Sequence, residues 1–136
     1  MSDPTEPRPI VVLAAVVERA GRFLVTRRLR GTHLEGYWEF PGGKCEVRES
    51  AAECLAREIR EELDVGLIVG PEIFTTRRSY PEQSVELHFY SCRLQGEPRS
   101  VLGQEMRWVP REQLRELQFP PADQELIDRL ARSLQR

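Results

Sequence analysis

The chain opens its structured part with Ile10-Val11-Val12-Leu13-Ala14-Ala15-Val16-Val17, an unbroken apolar run rich in β-branched residues. That pattern predicts a strand covered on both faces. Ala20-Gly21 is a turn signal, and Arg22-Phe23-Leu24-Val25-Thr26-Arg27-Arg28 reads as the returning strand of a hairpin. A polar loop from Gly31 to Gly36 leads into Tyr37-Trp38-Glu39-Phe40 and then the break Pro41-Gly42-Gly43. Ser50 followed by Glu53 predicts a capping box, after which Ala52, Leu55, Ala56, Ile59 and Leu63 recur at helical spacing. Two strand-like runs follow, around 67–69 and 73–77. Val85, Leu87 and Phe89 then alternate with Glu86, His88 and Tyr90, the period of a half-buried strand. Arg107-Trp108-Val109 predicts one more short strand, stopped by Pro110, and 111–117 a short helix. Phe119-Pro120-Pro121 breaks the chain, and Asp123 can cap a last amphipathic helix carrying Leu126, Ile127, Leu130 and Leu134. Strands and helices mix around one sheet without repeats, so the class is α/β or α+β. A single domain over 9–136 is expected, with residues 1–8 as a mobile tail.

Composition narrows the partners. The 136 residues suffice for one self-supporting core. A net charge of −2 offers no broad basic surface for DNA or RNA. The three cysteines, Cys45, Cys54 and Cys92, match neither a disulfide framework nor a CxxC zinc pattern and suit a reducing compartment. Met1 to Pro9 is polar, unlike a signal peptide, and the apolar run at Ile10 is too short to span a bilayer. A cytoplasmic protein without a membrane partner is the expectation.

The chemistry gathers between residues 41 and 65. On a helix, Glu58, Glu61 and Glu62 lie to one side, away from the Leu55–Ile59–Leu63 stripe. Like charges one turn apart repel by a few tenths of a kcal/mol (~0.2–0.5) per pair. The plain alternative is a solvated acidic face held by arginines, since Arg57 precedes Glu61 by four residues and Glu53 precedes Arg57 by four. The preceding sequence tips the balance: Pro41-Gly42-Gly43 lets backbone approach a ligand closely, Lys44 adds a positive charge, and Glu49 stands just before the helix. Such hard oxygen donors suit Mg²⁺, or Mn²⁺ in its place, with a polyphosphate as the group to be neutralised.

These residues resemble the signature of the Nudix hydrolases, GX5EX7REUXEEXGU with U a bulky aliphatic residue. The chain reads Gly43, five residues, Glu49, seven residues, Arg57-Glu58-Ile59, Arg60, Glu61-Glu62, Leu63, Asp64-Val65. Only the last glycine departs, as Asp64, at a helix end where left-handed geometry is wanted and Asp enters it more easily than most residues. Thr26-Arg27-Arg28, Trp38-Glu39-Phe40-Pro41-Gly42-Gly43-Lys44 and Phe119-Pro120-Pro121-Ala122 extend the likeness to the MutT-like subgroup. The resemblance implies an α/β/α sandwich with a central mixed sheet and cleavage of nucleoside triphosphates to monophosphate and pyrophosphate. It also implies roles. Glu58, Glu61 and Glu62 would be metal ligands or the general base, and the Gly42 carbonyl would join the metal sphere. Arg28 would contact phosphate, and Glu49 would brace the box by pairing with Arg57. Relatives usually carry a further glutamate at the position of Leu102. Glu105 is the nearest substitute for it, beside Gln104, and the general base stays open between Glu58 and a loop glutamate.

Substrate choice is less determined. The position that reads the base in the subgroup is Asp123, which when ionised only accepts hydrogen bonds and so favours cytosine or guanine-type donors; its other reading is the helix cap. Among Phe40, Tyr37 and Trp38, Phe40 is preferred as the base-stacking residue on the resemblance alone. His33 and His88 read as structural, Cys45 as packing, and Arg77 and Arg78 as either phosphate contacts or solvated strand ends. ADP-ribose or dinucleoside polyphosphates are the alternative substrates, and a non-catalytic nucleotide sensor the alternative class. Monomer and homodimer both stay open.

Overall fold

The computed structural model describes residues 8–132, so the expected tail up to residue 7 and Leu134 lie outside it. Among the described residues the chain forms β1 (Ile10–Arg19), β2 (Arg22–Arg27), β3 (Trp38–Glu39), β4 (Gly42–Lys44), α1 (Ala51–Leu63), β5 (Leu67–Ser79), β6 (Ser84–Leu94), β7 (Met106–Pro110) and α2 (Gln124–Arg132). The sheet runs β3-β2-β1-β6-β5, with β4 also on β1 and β7 also on β2. β1 is its hub. It runs parallel to β6 from Ile10↔Val85 to Val17↔Cys92, antiparallel to β4 at Val12↔Lys44 to Ala14↔Gly42, and reaches β2 only at Glu18↔Phe23 and Arg19↔Arg22.

The unbroken apolar run of β1 has its reason in the layers. Leu13, Ala15 and Val17 face α1 with Leu24, Leu55, Ile59 and Leu63, while Ala14 and Val16 face the other way with Phe40, Phe89, Phe119, Leu126 and Ile127 of the α2 side. Two helical layers therefore enclose a mixed sheet, the α/β/α sandwich. Leu55, Ile59 and Leu63 are each 0% exposed, and burying such side chains stabilises the fold by roughly 1.5–3 kcal/mol apiece. α1 starts with the full capping box: Ser50 Oγ accepts from the Glu53 N–H at 3.1 Å and Glu53 accepts from the Ser50 N–H at 2.9 Å. It ends at Asp64 in the left-handed region (φ 50°, ψ 46°).

Two expectations are corrected and one, the short helix after Pro110, is refined. The runs at 67–69 and 73–77 are one strand, because pairing with β6 continues across irregularities at Val69/Glu72 and Glu72/Phe74; a sheet-edge strand accommodates Gly70-Pro71 as a bulge. The segment after Pro110 is a 3-10 helix, Arg111–Glu116. Cys45 and Cys54 are joined in a disulfide, Cα–Cα 5.2 Å, which leaves Cys92 free and buried. The loop after β4 folds back on the first turns of α1, a proximity that the spacing of the cysteines does not disclose. No helix of the described residues is long and apolar enough to cross a membrane.

Candidate active site

β4 places Gly42 and Gly43 beside β1, and at Gly42 the backbones approach so closely that a Cβ would run into the Leu13 carbonyl oxygen. A Cβ on Gly43 would meet the end of the Glu58 side chain and displace its carboxylate. Glu58 therefore lies directly against the glycine strand. Next to it, Arg57 gathers the charges of the loop and the helix. It donates to Glu49 through Nε (2.6 Å) and Nη2 (2.8 Å), to Glu58 (3.1 Å), to Glu61 (3.3 Å) and to the Lys44 carbonyl (3.2 Å). This fork, together with the Glu46 N–H, holds the Glu49 carboxyl down to about 2.

One arginine does not neutralise four carboxylates. Glu62 is pushed up to about 9, first by burial, then by a hydrogen bond shared with Glu58 and the charges of Glu58, Glu39 and Glu61. Among the described residues no three His, Cys, Asp or Glu side chains already surround one point as a cation cage, and Glu58 and Glu61 turn towards Arg57. The donor set nonetheless fits a hard divalent cation: oxygen ligands only, crowded enough that one carboxyl holds its proton, beside two glycines with no side chains to block approach.

Two cavities meet here. A smaller one of about 200 Å³ is lined by Glu62, Arg28, Glu39, Gly42, Leu102 and Gln104 among others. A larger one of about 440 Å³ has walls of Phe40, Leu87, Phe89, Ala122 and Asp123. Arg28, Glu39 and Gly42 line both, so the two cavities adjoin at those residues. Arg28 is set by its Nε–H to the His33 carbonyl (2.7 Å) and its Nη1 to Glu39 (3.2 Å). Asp123 is 5% exposed. Burial, and secondarily the charge of Glu39, pushes its carboxyl up to about 7. Its side chain makes no capping hydrogen bond among the described residues, and it lines the larger cavity. Phe40 is 3% exposed and already stacked on Phe119 (5.4 Å, 29°); it is an apolar wall more than an open stacking platform. Lys44 lines the larger cavity from the edge of the sheet.

The fold of residues 12–129 matches the NUDIX domain family over that whole span. The chain belongs to the NUDIX domain family. It is similar to the CTP pyrophosphohydrolase of Escherichia coli (strain K12), 32% identical over 88% of this chain and 89% of the relative. A putative 8-oxo-dGTP diphosphatase 2 of Mycobacterium tuberculosis is 36% identical over 91% and 89%. Among solved structures, the E. coli ORF135 protein superposes with a TM-score of 0.79 at 30% identity, covering 94% of each chain. Nudix hydrolases work with a divalent metal, usually Mg²⁺.

The box thus brings together Gly42, Gly43, Lys44, Glu49, Arg57, Glu58, Glu61 and Glu62, and the adjoining cavities add Arg28, Phe40 and Asp123. Glu105 is not brought there. Its carboxylate lies between Arg27 (3.3 Å) and Arg107 (2.9 Å), and it lines neither cavity. The reason is alternation on extended backbone. Gln104 turns inward, 7% exposed, and donates from Nε2 to the Glu62 carbonyl (3.3 Å) while Oε1 accepts from Ser100 and the Leu102 N–H. Its neighbour Glu105 then turns outward. Sequence reasoning misses Glu39 and Gln104. Glu39 stands inside the aromatic motif Trp38-Glu39-Phe40, and its one signal, a carboxylate just ahead of the glycine break, is overshadowed by the rings on either side. Arg78 and His33 also line the larger cavity. His88 sits elsewhere, between Glu72 (2.6 Å) and Glu86 (2.8 Å).

Proposed function

We propose that this Nudix hydrolase is a Mg²⁺-dependent nucleoside triphosphate pyrophosphohydrolase that releases nucleoside monophosphate and pyrophosphate, working on free nucleotides in the cytoplasm. What supports the reading is that the two cavities adjoin, sharing Arg28, Glu39 and Gly42 as walls. This gives one elongated ligand a nucleoside end walled by Phe40, Phe89 and Asp123 and a phosphate end beside Glu62 and Arg28. The names of the two relatives, one acting on CTP and one on 8-oxo-dGTP, fall in the same substrate class.

Glu58, Glu61, Glu62 and the Gly42 carbonyl would hold the cation. When bound, it would neutralise polyphosphate oxygens and acidify a water. Arg28, steered by Glu39 and His33, meets phosphate negative charge. Arg57 keeps Glu49, Glu58 and Glu61 in register on one corner. The attacking water loses its proton to a box glutamate, and Glu58 is the candidate, because the loop before β7 presents Leu102 and Gln104 on this side in place of a carboxylate.

The test is turnover of a panel of normal, methylated and oxidised deoxynucleoside triphosphates with and without Mg²⁺, in the wild type and in Glu61→Gln. Loss of turnover in the variant and pyrophosphate as product are expected; unchanged turnover in Glu61→Gln would sink the mechanism, and release of orthophosphate the reaction.

A further inference from the structure

The loop joining β4 to α1 carries a covalent tie that none of the Nudix chemistry uses. Cys45 follows Lys44 directly at the end of β4, and Cys54 lies on the first turns of α1, nine residues away. Between them the chain turns tightly, with the Glu49 N–H bonded to the Glu46 carbonyl at 3.2 Å and Arg48 in the left-handed region at φ 77°. This short loop presents Glu49 to Arg57, and Arg57 in turn orders Glu58, Glu61 and the Lys44 carbonyl. The disulfide and Arg57 are thus two clamps on the same loop, one covalent and one ionic. Only the covalent one responds to thiols.

The two sulfurs are unequally placed. Cys54 is 0% exposed in the α1-side core. Cys45 is half-buried and lines an open groove of about 570 Å³, with Lys44, Glu46, Val47, Glu49, His88 and Tyr90 among its walls. A thiol entering the groove meets the Cys45 sulfur first. Cys92 is a different case: it is buried at 4% exposure and its thiol is pushed up to about 11 by burial, so it stays inert.

We infer that Cys45–Cys54 is a thiol-exchange site at which a dithiol reductant opens the phosphate loop and lowers turnover. The thiolate of the reductant attacks the Cys45 sulfur, the Cys45–Cys54 bond breaks, and Cys54 leaves as a thiolate that takes a proton from water. The second thiol of the reductant then displaces Cys45 from the mixed disulfide. Two protein thiols and one reductant disulfide result, and the reverse exchange with an oxidised dithiol closes the clamp. With the bond open, the turn between the β4 pairing at Lys44 and the capping box at Ser50 is tied across to α1 by Arg57 through Glu49.

The experiment compares the full-length protein equilibrated with oxidised or reduced dithiothreitol. Alkylation under denaturing conditions followed by intact mass should count one free thiol in the oxidised form and three in the reduced form. Amide hydrogen exchange over 44–50 should rise on reduction, and kcat/KM should fall about tenfold, the lower range for losing an outer-shell support of a metal site. Cys45→Ala should sit at the reduced level and ignore dithiothreitol. Three free thiols after equilibration with the oxidised reagent, or equal exchange and equal kcat/KM in both states, would overturn the inference. The wild-type comparison stands even where the variant fails to fold. The effect on kcat/KM rests on the proposed hydrolase reading, whereas the thiol count and the exchange of 44–50 do not, so the two ideas can fail separately.

Discussion

The two ends of the site are built on opposite principles. At the box corner charged side chains dominate and are paired to one another, with Arg57 reaching Glu49, Glu58 and Glu61 at 2.6–3.3 Å. In the nucleoside cavity the walls are Phe40, Leu87 and Phe89, and one buried carboxyl, Asp123, stands among them without a cation beside it. The corner handles what all polyphosphates share; the cavity handles what distinguishes one base from another. A change at the corner should therefore weaken every substrate alike, and a change in the cavity should reorder them.

The largest effect is expected from Glu58→Gln, which keeps the shape against Gly43 and removes the charge. Turnover should fall on the order of 10³-fold for every nucleoside triphosphate, as losing a few kcal/mol of charge stabilisation implies. The rise in melting temperature given by Mg²⁺ should shrink with it. Substrate-dependent losses in a kinetic panel would break the division between corner and cavity. Arg57→Ala comes next. It frees Glu49 and leaves Glu58 and Glu61 repelling, so a 10–100-fold loss in Mg²⁺ affinity is expected (roughly the scale for outer-shell partners), read by the Mg²⁺ dependence of kcat/KM. Arg57→Lys should recover little, because an ammonium cannot fork onto Glu49.

Asp123→Asn probes the other end. Its hydrogen-bonding pattern changes while its volume does not, so relative kcat/KM values among bases should shift by roughly 5- to 100-fold, about 1–3 kcal/mol for a gained or lost buried hydrogen bond. Turnover of the best substrate should change much less; a uniform loss would return Asp123 to a structural role. The same residue has a pH signature. Its folded carboxyl titrates at about 7 and its ordinary value is 3.8, so between those values the folded state binds the extra proton. Stability is then fully present below about pH 4 and is lost as pH rises towards 7, by on the order of 4 kcal/mol at most. Urea unfolding at pH 5 and pH 8 should show a steeper loss in the wild type than in Asp123→Asn, and equal slopes would mean the carboxyl does not titrate in that window.

The same contrast separates what the sequence discloses from what only the fold assembles. The corner is legible because its groups lie within one loop and one helix, where spacing is geometry: Glu58, Glu61 and Glu62 share a face whatever the rest of the chain does. The sandwich is legible from β1, whose run without polar interruption requires cover on both sides. The cavity is only partly legible, since Arg28, Phe40, Arg78 and Asp123 come from four separate segments that the sheet brings together. Glu39 and Gln104 escape for the same reason, their meaning depending on Glu62 and Arg28 across the fold. The disulfide depends on how tightly residues 46–49 turn, which composition does not encode.

The smallest expected effect tests the boundary of the corner. Glu105 is held by Arg27 and Arg107, each roughly half exposed, and such surface pairs contribute about 0–1 kcal/mol to stability. Glu105→Gln should accordingly leave kcat and the Mg²⁺ dependence within about twofold of wild type. Gln104 provides the contrast on the adjacent residue, since it ties the loop 100–104 to the end of α1 and faces Glu62. Gln104→Ala leaves the Leu102 N–H without its partner and removes one of two bonds at the Ser100 hydroxyl and the Glu62 carbonyl, and should cost about 1–3 kcal/mol of stability. If Glu105→Gln instead abolished turnover with stability intact, the loop would have to swing on substrate binding and carry Glu105 to the corner. The inward register of Gln104 would then describe only the resting enzyme.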